Sequence, residues 1–273
     1  MKNIKYLYMV LIFFTIIVIK GMAAENNKEY KVLIGMTSDK AVNLKGIKTL
    51  VIDAEFFSKE DIAQLHKNGN VNIFSYLNIG SIETFRDDYE AFKYLALGDY
   101  ENWDEEKWIN VADKRWQKRI KDKARLLSQK GIDGFFIDNA DVYYHYQTPE
   151  IYRGLMTLLH EIYKENKPII INGGDIFISQ AMKQNALKGI VNGINQESVF
   201  TEINFKDNTF GVKPIEDREY FLAYLDQCKT YGFTVYLLEY GPSKKIEKDI
   251  KAYCQSNGFI YYISHSLQLD KPF

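Results

Sequence analysis

The sequence predicts a single (β/α)8 barrel, a TIM barrel of the α/β class, behind an N-terminal leader, and three observations lead there. The chain has 273 residues, and roughly 250 residues suffice for one such barrel. Eight short apolar runs alternate with amphipathic helical stretches, the pattern of parallel strands joined by crossover helices. An open doubly wound sheet, the runner-up, usually carries a glycine-rich phosphate loop after its first strand. Met36-Thr37-Ser38-Asp39 stands there instead.

The leader comes first. Lys2 and Lys5 precede an apolar run from Tyr6 to Ile19, followed by Lys20 and the small stretch Gly21-Met22-Ala23-Ala24 before Glu25. A positive start, a short apolar centre and small residues near the end describe a secretory signal peptide over residues 1–24. The run is shorter than the ~20 residues of a comfortable membrane span. Lys20 interrupts the usual pattern, which leaves an uncleaved membrane anchor as the alternative. Both place the barrel, residues 25–273, outside the cell or tethered to the outer face of the cytoplasmic membrane.

The strands are read at Lys31–Gly35, Thr49–Asp53, Asn72–Tyr76, Gly134–Asp138, Pro168–Asn172, Val191–Asn195, Thr234–Leu238 and Ile260–Ser264. Helices are read at Lys59–Lys67, Trp116–Gln129, Pro149–Glu165, Ile176–Ala186, Arg218–Thr230 and Lys244–Gln255. Ser58 suits an N-cap ahead of Lys59-Glu60-Asp61. Gly69, Gly131, Gly232 and Gly258 stand where helices hand over to strands. The longest insertion, Ser81–Asp113, follows the third strand and contains Trp103 and Trp108. Cys228 and Cys254 lie on successive helical segments, either as a disulfide or as two buried free thiols.

Composition excludes more than it selects. Net charge is −1, so nothing favours nucleic acid or an anionic membrane surface. His66, His145, His160 and His265 lack metal-ligand spacing, so neither a metal nor a cofactor is expected. His265 ends the last strand as a possible pocket residue. No lysine suited to a Schiff base ends the sixth strand, and no nucleophile elbow appears. Twenty Tyr, 17 Phe and three Trp suit either a sugar-binding surface or a barrel core.

Barrel active sites lie at the C-terminal strand ends. Carboxylates crowd there: Asp53 with Glu55, Glu83, Asp138 with Asp141, Asp175, Glu197 and Glu239. Held close, like charges raise one another's pKa. Paired carboxylates do the work in most glycosidases. Asp138 and Glu197 are the expected catalytic pair, since they project from the fourth and sixth strands on one side of the mouth. Asp53, Tyr76, Asp141, Asn172, Glu239 and Tyr240 are the expected substrate-binding residues. Tyr143, Tyr144, Tyr146, Trp103 and Trp108 are candidate stacking faces.

Three runs carry a more specific likeness: Tyr76-Leu77-Asn78-Ile79-Gly80-Ser81-Ile82-Glu83, Gly131-Ile132-Asp133-Gly134-Phe135-Phe136-Ile137-Asp138-Asn139-Ala140-Asp141 and Gly193-Ile194-Asn195-Gln196-Glu197-Ser198-Val199-Phe200. With Val51-Ile52-Asp53-Ala54 and Leu237-Leu238-Glu239-Tyr240, their order and spacing resemble glycoside hydrolase family 114. The resemblance implies an α-galactosidase-like barrel cleaving inside α-1,4-linked galactosamine or N-acetylgalactosamine exopolysaccharide of biofilms. It carries the catalytic pair onto Asp138 as nucleophile and Glu197 as acid/base, with retention of configuration. Many relatives have Glu where this chain has Ser81, which bears on fine specificity. A deacetylated substrate is cationic, and an acidic mouth suits its ammonium groups. The rival reading is a carbohydrate-binding barrel without catalysis, a surface lectin or scaffold. A third is a barrel hydrolase of peptidoglycan or another glycan.

Overall fold

The computed structural model describes residues 28–272, so the leader read over residues 1–24 lies outside the described residues. Eight strands run parallel in chain order: β1 (Tyr30–Val32), β2 (Thr49–Ile52), β3 (Asn72–Asn78), β4 (Gly134–Asp138), β5 (Ile169–Asn172), β6 (Gly193–Glu197), β7 (Thr234–Tyr240) and β8 (Ile260–Ser264). Helices between them include α1 (Ser38–Ala41), α2 (Lys59–Lys67), α3 (Lys114–Gln129), α4 (Pro149–Tyr163), α5 (Asp175–Lys183), α6 (Ile215–Tyr231) and α7 (Lys244–Asn257), with further single turns at Tyr89–Phe92 and Val142–His145. The result is a nearly closed (β/α)8 barrel. Each of the eight strands overlaps the segment read for it from the sequence.

Three strands reach two residues further than expected. β3, β6 and β7 end on Asn78, Glu197 and Tyr240 because the ladder carries on through polar residues, pairing Asn78 with Asp138 and Leu238 with Glu197. A polar residue at the barrel mouth therefore does not mark the end of a strand. β1 is displaced the other way, starting at Tyr30 and ending at Val32.

Between β1 and β8 the joint is made by side chains and the C-terminal tail. Lys31 donates to the Pro272 carbonyl at 2.7 Å and lies over the Tyr262 ring at 4.8 Å. The Gly35 amide donates to Leu269 O at 3.3 Å. Only glycine fits there, since a Cβ on Gly35 would sit 2.0 Å from the Gln268 carbonyl oxygen.

Strand alternation sorts the barrel interior into layers. Gly134, Phe136 and Asp138 share one face of β4, as Gly193, Asn195 and Glu197 do on β6. The two glycines leave room for rings: a Cβ on Gly134 would meet Phe74 at 2.3 Å, and one on Gly193 would meet Tyr236 at 3.0 Å. Tyr30 and Tyr236 pack with ring centroids 4.8 Å apart. Each of these two strands thus begins with a packing glycine and ends four residues later with a carboxylate in the mouth.

Two excursions build up the mouth. The insertion after β3 holds a three-stranded antiparallel sheet, Ser81–Glu83, Glu106–Ile109 and Ala96–Asp99. After β6 comes a hairpin, Thr201–Asn204 with Thr209–Val212. The sequence reading had no strands in either place, because segments of three or four residues are too short to show alternation.

Helix ends follow their local chemistry. Ser58 and Asp61 form a full capping box at α2. Gly232 and Gly258 close α6 and α7 in left-handed geometry. Cys228 and Cys254 are buried free thiols, which answers the disulfide question in favour of the second reading. Among the described residues no helix is long and apolar enough to cross a membrane.

Candidate active site

Asp138 and Glu197 end β4 and β6, and Asn172 ends β5 between them. Period-two alternation turns all three inward. The Asn172 side-chain nitrogen donates to Asp138 Oδ1 at 2.9 Å and to Glu197 Oε1 at 2.7 Å. Two oxygens bound to one nitrogen cannot lie farther apart than the two bonds laid end to end. The amide itself is held from below: Asn195 Nδ2 donates to Asn172 Oδ1 at 2.6 Å, and Tyr30 donates to Asn195 Oδ1 at 3.0 Å. With its oxygen engaged below, Asn172 has only its NH2 to turn to the carboxylates.

Each carboxylate has a second neutral donor. Tyr240 donates to Glu197 Oε2 at 2.8 Å. The Tyr76 hydroxyl hydrogen-bonds Asp138. Burial, then the Asp138 charge, pushes the Glu197 pKa up to about 7 against the pull of Tyr240 and Asn172. Burial also raises Asp138, opposed by Asn172, the Asn139 amide and Tyr76. Burial thus raises both carboxyls, and Glu197, at about 7, is poised to exchange a proton near neutral pH.

The residue after each site residue turns the chain away. Asn139 (φ +65°), Gly173 (φ +63°), Ser198 (φ +54°) and Gly241 (φ +48°) follow Asp138, Asn172, Glu197 and Tyr240, all in the left-handed region. Such backbone costs a non-glycine residue ~1–2 kcal/mol.

The opposite rim is built differently. Arg86, only 7% exposed, binds Asp53 at 2.9 Å, Glu55 at 2.6 Å and Glu83 at 2.9 and 3.1 Å. Its guanidinium also lies about 5 Å from the Phe56 and Phe85 rings. Asp53, an expected substrate-binding residue, lines the cleft with its carboxylate engaged by this cation. Arg86 escaped the sequence reading because it lies in the insertion, where strand-end reasoning does not look.

Glu239 requires a correction. It is 0% exposed and does not face the mouth, because Tyr240, its neighbour on β7, does. Its carboxylate accepts from the backbone amides of Val199, Phe200 and Thr201 at 2.9–3.2 Å and from the Thr201 hydroxyl at 2.6 Å. Glu239 is the anchor of the loop between Glu197 and the hairpin. Burial lifts its pKa to about 7 against those donors.

Asp141 lies in the cleft with both oxygens 3.0 Å from the Gly174 amide, and burial lifts its pKa to about 7. Among the candidate stacking residues, Trp103 and Tyr144 are exposed at the cleft, while Trp108 is buried in its wall against Tyr100 at 4.2 Å. Tyr143 is buried and donates to Gln180, and Tyr146 does not line the cleft. His265 is exposed and stands apart from it. Trp103 meets Phe205 edge-on at 6.0 Å, joining the β3 excursion to the β6 hairpin.

The cleft encloses about 1080 Å³. Asp138, Asp141, Glu197 and Glu106 line it, with Asp53 and Glu83 beside Arg86. Glu106, from the insertion sheet, was not singled out from the sequence. Among the described residues no cluster of three or more side chains suits a metal ion.

A family model described as glycoside-hydrolase family GH114 matches residues 20–272. The glycoside hydrolase domain of PelA from Pseudomonas aeruginosa superposes with a TM-score of 0.72 at 17% identity, over 89% of this chain and 95% of that one. Ega3 of Aspergillus fumigatus, solved in complex with galactosamine, superposes with a TM-score of 0.69 at 17% identity, over 90% and 93%. The α-galactosidase TtGalA of Thermus thermophilus gives 0.57 at 10% identity, over 86% of this chain and 57% of its own length. These likenesses are of fold. Among the curated proteins, none matches the chain.

Proposed function

The chain belongs to glycoside-hydrolase family GH114 and is a glycoside hydrolase, and from that premise we propose that it cleaves within α-1,4-linked galactosamine or N-acetylgalactosamine polymers, with retention of configuration. One observation carries the reading: a single amide nitrogen holds both Asp138 and Glu197. The ceiling this sets on their separation fits the ~5–5.5 Å of retaining enzymes and falls short of the ~6.5–9.5 Å that leaves room for water in inverting ones.

In this mechanism Asp138 attacks the anomeric carbon as Glu197 protonates the departing glycosidic oxygen. The bond to that oxygen breaks and an ester to Asp138 forms. Glu197, now ionised, takes a proton from water, which cleaves the ester and restores both groups. Asn172 aligns the pair through both steps. Tyr76, Asp141 and Tyr240 line the sugar's pocket, while Asp53 shapes it through Arg86. The acidic cleft supports a cationic substrate, and Ega3 was solved with galactosamine. The leader pattern of residues 1–24 supports export, with the barrel from residue 25 onward working at or beyond the outer face of the membrane.

The test is reducing-end release from galactosamine polymers by the protein and by its Asp138→Asn and Glu197→Gln variants. Cleavage by the parent, with loss of about 10²–10⁴-fold in each folded variant, supports the reading. A parent that binds these polymers without cleaving them would turn it toward the lectin alternative. Early-time NMR showing an inverted product anomer would remove the nucleophile role of Asp138.

A further inference from the structure

Glu106 is a cleft carboxylate for which neither the proton transfers nor the scaffold has a use. It projects from the middle strand of the insertion sheet, opposite Glu83 in the antiparallel register. The hydroxyl of Ser81 donates to its Oε2 at 2.7 Å, and Asn139 Nδ2 approaches the same oxygen at 3.4 Å. Ser81 is itself fixed, accepting from Asn78 at 2.6 Å and from Asn139 at 2.9 Å. Asn139 directly follows Asp138, so one short network ties Glu106 to the strand end that carries the expected nucleophile.

This arrangement orients the carboxyl group without giving it a cation. Oε1 accepts no hydrogen bond among the described residues, and no ion pair to Glu106 forms among them. The nearby guanidinium is committed elsewhere, since Arg86 already binds Glu83, Asp53 and Glu55. A half-buried carboxylate with one oxygen anchored, the other open and no cation of its own is built to receive a cation from the ligand.

Building on the galactosamine-polymer reading, we infer that Glu106 is the specificity-determining residue that binds the ammonium of a deacetylated sugar lodged beside Asp138. The groups facing it are Glu83 and Asp138, which repel its charge, Arg86, which favours it, and the hydroxyls of Tyr76 and Tyr100. Burial first, then Glu83, raises its pKa to about 8. Near neutral pH the carboxyl therefore favours its protonated form, and an arriving ammonium displaces that proton to solvent. An N-acetyl group brings no charge and offers nothing for the open oxygen to bind.

Two readouts test this. The first is kcat/KM on fully deacetylated and fully N-acetylated α-1,4-galactosamine oligomers, for the protein and its Glu106→Gln variant. The expected result is a fall of about 10- to 100-fold on the deacetylated oligomer, the worth of a hydrogen bond to a charged group, with little change on the acetylated one. Glu106→Asp should recover part of the loss. The second readout is calorimetry of deacetylated-oligomer binding in a Glu197→Gln background, in buffers of different ionisation enthalpy. Proton release at pH 7 that disappears on adding Glu106→Gln supports the inference. Should Glu106→Gln fail to fold, Ser81→Ala removes the anchor and should shift both readouts the same way by less. Equal losses on both oligomers, or unchanged proton release, would overturn it while leaving the proposed activity standing. A parent that cleaves and binds neither oligomer would remove the activity and the inference together.

Discussion

On the β2–β3 side of the mouth, three carboxylates share one guanidinium; on the β4–β6 side, two carboxylates share one amide. The side chains are alike and both groups sit at strand ends. Arg86 pairs with Asp53, Glu55 and Glu83, and Lys123 meets Glu55 at 2.5 Å, so an ion-pair cluster braces the insertion against β2 although burial still raises the Asp53 pKa. Asn172 cancels no charge, so burial and repulsion remain to lift the Glu197 pKa to about 7. Burial raises acids on both sides; the cations on one side tie them into a brace, while the neutral donors on the other bind Glu197 without an opposite charge.

The contrast can be broken most forcefully through the β4–β6 pair. Glu197→Gln should cost about 10²–10⁴-fold in turnover with a thermal midpoint close to the parent's, read by kinetics and calorimetry on the same preparations. A large fall in midpoint would put Glu197 with the braces. Next in size is Arg86→Met, which leaves the buried Asp53 and Glu83 without their cation while Glu55 keeps Lys123. Breaking a buried pair costs ~3–5 kcal/mol, and denaturant unfolding should show a loss of that order. Unfolding free energy unchanged in this variant would mean the cluster braces nothing.

Tyr240→Phe sharpens the comparison on the catalytic side. Tyr240 donates to the ionised form of Glu197 and holds its pKa down. Losing that bond raises the pKa. Since Glu197 acts as an acid while protonated, the alkaline limb of kcat/KM should lie near pH 7 in the parent and move upward in the variant. A limb that stays in place or moves down contradicts the assignment. The smallest effect belongs to Ser198→Gly, which relieves a left-handed serine and should change stability by no more than about 1 kcal/mol, with turnover retained.

Much of the barrel was legible because each strand is a short apolar run between amphipathic helices, and that periodicity survives without tertiary context. The polar residues gathered in the cleft were legible too, since Asp138, Asn172 and Glu197 end three consecutive strands. Other features were hidden for physical reasons. Arg86 and Glu106 lie in strands of three or four residues or beside them, below the length at which a pattern appears. Glu239 was misplaced although its signal was available: it precedes Tyr240, and adjacent residues on a strand face opposite ways. The use of Asn172 as a link between two acids depends on which way its amide turns, and that is set by Asn195 and Tyr30 from other strands.

The four left-handed residues at the ends of β4 to β7 bear on how this mouth tolerates mutation. Positions 139, 173, 198 and 241 sit beside the site residues in the chain, and what they share is a backbone constraint. A saturation library should therefore show a ring of intolerant positions whose preferences follow φ, with glycine and asparagine favoured and branched residues rejected. The ring is uneven: a Cβ at 173 would press on Asp141 at 2.6 Å and one at 241 on the Phe210 ring at 2.1 Å, whereas 139 and 198 already accommodate side chains. Variation in this mouth is thus channelled into the β3 excursion and the β6 hairpin, where new sugar contacts can arise without disturbing the turns that present the acids.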